Sequence, residues 1–243
     1  MIVIISAFSE ELRAYRKLGQ FRIAGKEGRI RLFKSPGLPH VALLDGAIGK
    51  QRALDATKLA IDRFEPDLLI SAGFSGALQP QIARGQAFVC RTVAHWDSAA
   101  EIARAQQTAV DPSEASSWRH GAALTVDSIA NSQQKGLIGQ STGADVVDME
   151  SWWVSETARS QGVGCEVVRV VLDTLDEDLP AILAQDGAIG EPDITKLGLR
   201  LVRSPSQWRA MCKLAMDSRA AGKILANVLV EITKESAAAM SVH

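Results

Sequence analysis

The chain has 243 residues, of which 47% are apolar and 23% are charged, so it can bury a full hydrophobic core. Its 27 basic and 28 acidic residues leave a net charge of −1, which excludes a global electrostatic attraction to nucleic acid or to an anionic membrane. The three cysteines match no zinc spacing, and no apolar run approaches the roughly 20 residues of a membrane span. We therefore expect one globular domain over residues 1–243 in the cytoplasm, without metal and without nucleic acid.

Short aliphatic runs predict the strands of a buried sheet. Nearly continuous Val, Ile and Leu is typical of strands that are covered on both faces, as in a mostly parallel sheet. In chain order, the strong runs are residues 2–5, 41–44, 67–73 and 165–172, and weaker ones lie at 88–94 and 144–147.

Helical periods alternate with these runs. Residues 50–66 carry apolar side chains at spacings of three and four and end at a proline, and residues 151–162 are similar and end at a glycine. The polar segment 98–117 predicts surface loop with a short helix, and an apolar stripe predicts a helical region at about 205–234 before a frayed tail. Alternating strands and helices predict an α/β sandwich.

Acidic residues follow several of the predicted strands. In open parallel α/β sheets, ligands bind beyond the carboxyl ends of the strands. These ends carry Glu11, Glu150 and Asp173, and two further ends, at 45–50 and 72–77, are rich in glycine or other small residues. A carboxylate-rich site without matching histidines is typical of hydroxyl recognition with acid–base chemistry, or of a hard metal ion.

Each acid also has a purely structural interpretation. Glu11 follows Ser9 and is compatible with the first turn of a helix that Ser9 caps. Asp173 opens an acidic run that ends at Asp178, which is compatible with a solvated turn, and Glu150 with another first helical turn. The functional interpretation depends on convergence of all three acids at one end of the sheet, which the structural interpretations do not require.

The chain resembles the purine nucleoside phosphorylase and methylthioadenosine/adenosylhomocysteine nucleosidase superfamily from residue 1 to about residue 178. The segments that carry this resemblance are, in order, ISAFSEEL, GAIGKQRALDATKLAIDRFEPDLLISAGFSGAL, VDSIANS, GADVVDMESWWVSETARSQG and VVRVVLDTLDE. The resemblance implies a three-layer α/β/α sandwich with a central twisted mixed sheet. It also implies cleavage of the N-glycosidic bond of a purine nucleoside with an adenine base, by hydrolysis or phosphorolysis.

The resemblance further assigns a role to each candidate residue. Asp173 would protonate or hydrogen-bond N7 of the purine, which needs a carboxyl whose pKa burial has raised. Glu11 would activate or position water, and Glu150 would accept hydrogen bonds from the ribose hydroxyls, while Asp148 supports its turn. Of the remaining candidates, Met149 would pack under the sugar, Ile129 and Ala130 would contact the base, and Phe74, Ser75 and Gly76 would lie at a turn beside the nucleophile.

The resemblance implies a homodimer or higher homo-oligomer and no cofactor. Phosphate enters only as a co-substrate, for which the candidate donors are Lys50, Arg52, Ser75 and Arg91. Residues 179–225 resemble the hopanoid-biosynthesis-associated nucleosidase branch, which implies an adenosyl-hopane-type lipid nucleoside as substrate. Such a substrate requires a membrane surface, and the mixture of basic and apolar residues from Lys196 to Lys223 is compatible with an interfacial helix.

Two departures from the family pattern leave other functions open. Leu172 replaces a serine that orients the adjacent acid, and Phe74 replaces a small or hydroxylated residue, so a nucleoside-binding accessory protein with impaired catalysis is one alternative. A serine hydrolase is another, because residues 73–77 nearly match the GxSxG nucleophile elbow around Ser75. Its candidate partners would be Asp97 and His120.

Overall fold

Nine strands form one mixed sheet in the part of the chain that this computed structural model describes, which is residues 1–96, 118–180 and 205–240. In chain order the strands are β1 (Ile2–Ser6), β2 (Arg22–Glu27), β3 (Ile30–Lys34), β4 (Val41–Asp45), β5 (Leu68–Ala77), β6 (Ala87–His95), β7 (Arg119–Thr125), β8 (Val146–Asp148) and β9 (Gly164–Asp173). Their order across the sheet is β2-β3-β4-β1-β5-β8-β7-β6-β9, and β9 also pairs with β5. One half of the sheet therefore closes into a ring of β5, β8, β7, β6 and β9.

Helices cover both faces of this sheet. In the described residues they are α1 (Ser9–Leu18), α2 (Gly49–Phe64), α3 (Ser132–Thr142), α4 (Ser151–Ser160) and α5 (Pro205–Met240). Helices α1 and α5 pack together on one face, where Leu12 and Ile4 share a buried cluster, and α2 and α4 cover the other face, where Val154 packs with Ile5. Alternate side chains of β1 are thus buried on opposite faces, which explains its continuous aliphatic run. The predicted α/β/α sandwich with a mixed sheet is confirmed.

Most predicted strands and helices are confirmed to within about two residues. The weak run at 144–147 corresponds to the short strand β8, and the helix predicted to end at Pro66 ends at Phe64. Glu65 follows in a left-handed conformation, with φ of 43°, and its N–H bonds back to the carbonyl of Ile61 as a C-cap.

The small-residue turn predicted at 72–77 is wrong. Strand β5 stays extended through Ala77, because β9 pairs with it in parallel as far as Gly76 and β8 pairs with Gly76 and Ala77. Pairing with the neighbouring strands therefore overrides the turn propensity of Gly73 and Gly76.

The C-terminal helix is longer than predicted. Helix α5 continues to Met240, beyond the predicted end near residue 234, and Ser236 is still buried there, so the predicted fraying from residue 235 is wrong up to Met240. No helix among the described residues is long and apolar enough to cross a membrane. The predicted loop at 98–117 and the basic residues from Lys196 to Arg203 lie outside the described residues.

Candidate active site

Glu11 is buried at the start of α1, with a side chain that is 3% exposed. Its Oε2 accepts a hydrogen bond from the backbone N–H of Phe8 at 2.7 Å, and its Oε1 accepts one from the backbone N–H of Phe74 at 2.9 Å. Phe8 is the N-cap residue and Ser9 the first helical residue, so the predicted cap by Ser9 is wrong. The two bonds hold the Glu11 carboxyl between α1 and β5.

Two glycines of β5 allow acidic side chains to approach the strand closely. A Cβ atom added to Gly73 would lie 2.7 Å from Glu11 Oε1, and one added to Gly76 would lie 3.0 Å from Asp173 Oδ2. Any larger residue at either position would displace a carboxyl. The small residues of 72–77 therefore make room for the acids, in a strand rather than in the predicted turn.

Glu150 directly precedes α4, and its Oε1 accepts a hydrogen bond of 2.8 Å from the backbone N–H of Gly49 at the start of α2. Burial raises its pKa to about 8, with a further contribution from the nearby carboxylate of Asp148. Burial also raises the pKa of Glu11 to about 7, against the opposing effect of its two backbone hydrogen bonds. Both carboxyls therefore titrate near neutral pH.

A buried ion pair lies beneath these two acids. The guanidinium of Arg169 on β9 donates to Asp148 Oδ2 and, at 2.8 Å, to the backbone oxygen and the hydroxyl of Ser71. Asp148 also accepts hydrogen bonds from the hydroxyl of Thr125 and from the backbone N–H of Ser151, which fixes the turn into α4. The expected supporting role of Asp148 is thus visible, whereas Arg169 was not among the predicted site residues.

One pocket brings several of these side chains together. Its empty volume is about 250 Å³ when the open solvent at its mouth is included, and its charged lining residues are Glu11, Glu150 and Arg169. Phe74 also lines it, together with small and aliphatic residues of β1, β5 and α4. The predicted phosphate donors Lys50, Arg52, Ser75 and Arg91 are not part of this described lining, and the Nζ of Lys50 instead lies 4.0 Å from the ring centre of Trp153.

Asp173 ends β9, beside Gly76 of β5, and is 7% exposed. Its Oδ2 accepts a hydrogen bond of 2.7 Å from the ammonium of Lys135 in α3, a residue that is 1% exposed. Burial raises the pKa of Asp173, and Lys135 opposes that rise. The interpretation of Asp173 as part of a solvated turn is therefore wrong, and Lys135 is a second charged residue that was not predicted.

The predicted contacts to the sugar and to the base are partly buried residues. Met149 and Ala130 pack against one buried cluster that includes Leu78 and Val147, and Ile129 is half-buried in the segment before α3. The roles of these three residues toward a nucleoside stay predictions.

The serine-hydrolase alternative does not fit the structure. Ser75 lies inside β5, where the nucleophile elbow requires a sharp turn from a strand into a helix. His120 lies on β7 with its Nδ1 at 3.4 Å from the carbonyl of Val89, and Asp97 is outside the described residues.

The family of the chain is shown by its sequence. The family model for the phosphorylase superfamily matches residues 1–203, and the chain therefore belongs to this superfamily. The predicted enzyme class, which cleaves N-glycosyl bonds of purine nucleosides, is confirmed at the level of the superfamily.

Individual relatives are similar over different shares of the chain. A 5'-methylthioadenosine/S-adenosylhomocysteine nucleosidase of an Exiguobacterium species is 24% identical over 199 residues, which is 72% of this chain and 85% of the relative. A nucleosidase of the same name from Geobacillus thermodenitrificans is 35% identical over 100 residues, which is 39% of this chain and 40% of the relative.

Solved structures share the fold over almost the whole chain. The 5'-methylthioadenosine nucleosidase of Arabidopsis thaliana in its apo form has a TM-score of 0.72 at 16% identity, and the alignment covers 96% of this chain and 94% of that one. The futalosine hydrolase of Helicobacter pylori has a TM-score of 0.70 at 15% identity, with 96% and 97% covered. None of these relatives bears on the hopanoid branch, which stays a prediction.

Proposed function

We propose that the protein hydrolyses the N-glycosidic bond of an adenine nucleoside, with Glu11 as the base that activates water and Asp173 as the acid that serves the leaving base. Glu150 accepts hydrogen bonds from the ribose hydroxyls. The observation that carries this proposal is the placement of Glu11 and Glu150 in one pocket beside β5, with the buried Asp173 outside the lining of that pocket but against the same strand. A purely structural role for each acid would not require that convergence.

The state of Glu11 suits activation of a water molecule. A general base works best when its pKa lies near the working pH, and burial raises the pKa of Glu11 to about 7. Backbone N–H groups of Phe8 and Phe74 hold both carboxyl oxygens, so the side chain is oriented before substrate binds. The same negative charge would stabilise the oxocarbenium-like sugar of the transition state.

The charges of the pocket favour water over phosphate as the nucleophile. Its lining contains two acids and one cation, and the charge of that cation, Arg169, is compensated by Asp148. Once Glu11 and Glu150 ionise, above their pKa values of about 7 and about 8, an incoming phosphate dianion would meet net negative charge, which opposes its binding. The predicted phosphate donors do not line the pocket in the described residues.

Glu11 and Asp173 contact β5 at two separate glycines. Glu11 contacts the strand at Gly73 and Asp173 contacts it at Gly76, three residues further on. At about 3.3 Å per residue, the two contacts are roughly 10 Å apart along the strand. In the proposed binding mode, a ribose beside Glu11 and Glu150 has its base toward Asp173, and hydrogen bonds from the ribose hydroxyls would favour the ionised form of Glu150.

The finer features of the substrate follow from the resemblance and the relatives. Met149 would lie under the sugar, and Ile129 and Ala130 would contact the base. The names of the relatives make methylthioadenosine and adenosylhomocysteine the first substrates to test. On the same resemblance, we propose that the chain folds as one domain and forms a homo-oligomer in the cytoplasm. An adenosyl-hopane-type lipid nucleoside at a membrane surface is the substrate to test next.

Release of free base tests this proposal. The purified protein would be assayed with methylthioadenosine, adenosylhomocysteine, adenosine and inosine by chromatography. We expect adenine from at least one of them, and we expect Asp173→Asn to abolish the release. Asp176→Asn, the same charge change at an exposed neighbour, is the matched control and should leave the rate unchanged. Equal rates for the two variants would remove Asp173 from the mechanism. If the wild type releases base from none of these four nucleosides, the lipid nucleoside becomes the substrate to test.

A further inference from the structure

Lys135 is a buried lysine whose ammonium has three oxygen partners in the described residues. Besides Asp173 Oδ2, it donates to the backbone carbonyls of Thr174 and Glu177 in the turn that follows β9. A lysine is rarely this deeply buried unless its charge is paired and its hydrogens are all bound. Asp173 is the anion that pairs with it.

This contact leaves the two oxygens of the Asp173 carboxyl unequal. Lys135 binds Oδ2, and no hydrogen bond to Oδ1 is found among the described residues. The oxygen that can meet a purine is therefore Oδ1, and the rotation of the carboxyl is set by the ammonium on the other side. The adjacent Leu172 is apolar and contributes only its backbone carbonyl, which accepts from Arg84, so its side chain cannot orient the acid.

We infer that Lys135 is a positioning residue for Asp173: it orients the carboxyl toward the leaving base and stabilises the carboxylate that remains after proton transfer. This inference rests on the proposed function of the same site. As the bond between the sugar and the base breaks, its electron pair goes to the base, and the proton of Asp173 goes to N7. Lys135 keeps all its protons, so it acts only through Asp173.

The charges around Asp173 determine what removal of Lys135 should do. Lys135 on α3 and Arg84 from the segment before β6 lower the pKa of Asp173, whereas burial and the carboxylate of Glu177 raise it. Lys213 and Asp217 on α5 contact Glu177 and Arg84 rather than Asp173. Without Lys135, the factors that raise the pKa of Asp173 lose their main opponent.

Two substitutions separate charge from hydrogen bonding. Lys135→Met removes both, and Lys135→Gln keeps a donor of similar reach without the charge. Lys213→Met is the matched control, because Lys213 binds the same turn through Glu177 but is exposed and does not contact Asp173. Two readouts are needed, namely the pH profile of kcat for base release and a ¹³C NMR titration of the Asp173 carboxyl, assigned with Asp173→Asn.

We expect both Lys135 variants to raise the pKa of Asp173 by about one unit or more and to move the high-pH limb of kcat upward by the same amount. In Lys135→Met, the maximal kcat should also fall by about tenfold or more, because the carboxyl is no longer oriented. Lys135→Gln should recover most of that loss while its pH limb stays shifted. Lys213→Met should change neither readout.

A folded Lys135 variant in which the pKa of Asp173 is unchanged would overturn the inference, since a merely structural lysine would lower stability or rate without moving that titration. If Lys135→Met does not fold, Lys135→Gln carries the same NMR test. The titration needs no substrate, so it still shows whether Lys135 lowers the pKa of Asp173 if the wild type releases no base. That last result would count against the proposed function alone.

Discussion

Replacement of Glu11 by glutamine should stabilise the protein near pH 8 while removing most of its activity. The carboxyl is 3% exposed, and burial raises its pKa from 4.5 to about 7. Because the pKa is higher in the folded than in the unfolded protein, this group favours the folded state fully below pH 4.5, and the advantage is lost as the pH rises through 7. At about 1.4 kcal/mol per unit, a shift of roughly 2.5 units is worth about 3 kcal/mol.

Glutamine has the shape of glutamate but does not ionise, so the variant avoids that loss, although its amide nitrogen cannot accept one of the two backbone hydrogen bonds from Phe8 and Phe74. Since the unpaired N–H costs about 1–2 kcal/mol, urea unfolding should give Glu11→Gln a free energy of unfolding about 1–2 kcal/mol above the wild type at pH 8, and about 1–2 kcal/mol below it at pH 4.5. Base release should fall by about 100-fold or more, since the general base is gone. Glu10→Gln, an exposed neighbour in the same helical turn, should change stability by less than about 0.5 kcal/mol.

A Glu11→Gln protein that is less stable than the wild type at both pH values would refute this reasoning. It would mean that the hydrogen bonds from Phe8 and Phe74 stabilise the ionised carboxyl by more than burial opposes it. The residue would then be a structural cap of α1, and its charge would say nothing about a general base.

Three further predictions concern the residues around Glu11. Gly73→Ala puts a methyl group 2.7 Å from Glu11 Oε1 and should lower base release by about tenfold or more. Arg169→Met leaves the buried carboxylate of Asp148 without its cation and should lower the free energy of unfolding by about 3–5 kcal/mol, measured in urea. Glu150→Gln removes a group with a pKa of about 8, so the decline in stability between pH 4.5 and pH 8 should become shallower than in the wild type.

Matched variants control for the first two of these changes. Gly136→Ala, where an added methyl group meets nothing within 4 Å, should keep full activity and raise stability by up to about 1 kcal/mol. Arg159→Met breaks an exposed pair and should lower stability by no more than about 1 kcal/mol. Full activity of Gly73→Ala, a loss for Arg169→Met no larger than for Arg159→Met, or an unchanged pH slope for Glu150→Gln would each contradict the corresponding prediction.

The strands that could be predicted from the sequence are those buried on both faces. Strands β1, β4 and β9 are continuous aliphatic runs because helices cover both sides of the sheet. The hairpin of β2 and β3 was not predicted, since β2 is largely exposed at the sheet edge and carries no such run. Helix α3 was missed as well, although Asn131 at its start and Gly143 at its end are ordinary cap residues.

The misassigned turn in β5 shows the limit of local propensity. Gly73 and Gly76 are typical of turns, but pairing with β8 and β9 keeps them extended. Glycine is needed at these two positions because the carboxyls of Glu11 and Asp173, which come from distant parts of the chain, occupy the space of a side chain. A single sequence contains no local sign of such contacts.

The candidate acids could be predicted because they follow strands, whereas their partners could not. Glu11, Glu150 and Asp173 were found from their positions at strand ends. Arg169 had a usable signal, because a charge among the aliphatic residues of a buried strand must find a buried partner. Lys135 had none, since it lies in a glycine-containing helix with weak periodicity, and only tertiary packing directs it inward.

The most direct test of the central claim is to follow methylthioadenosine in phosphate-free buffer and then with added phosphate. Free adenine would be measured by chromatography and any sugar phosphate by ³¹P NMR. We predict release of adenine without phosphate, and no 5-methylthioribose 1-phosphate signal after phosphate is added. A sugar phosphate that forms only with phosphate present would contradict the hydrolytic mechanism, and absence of adenine in both buffers would contradict the assignment of this substrate.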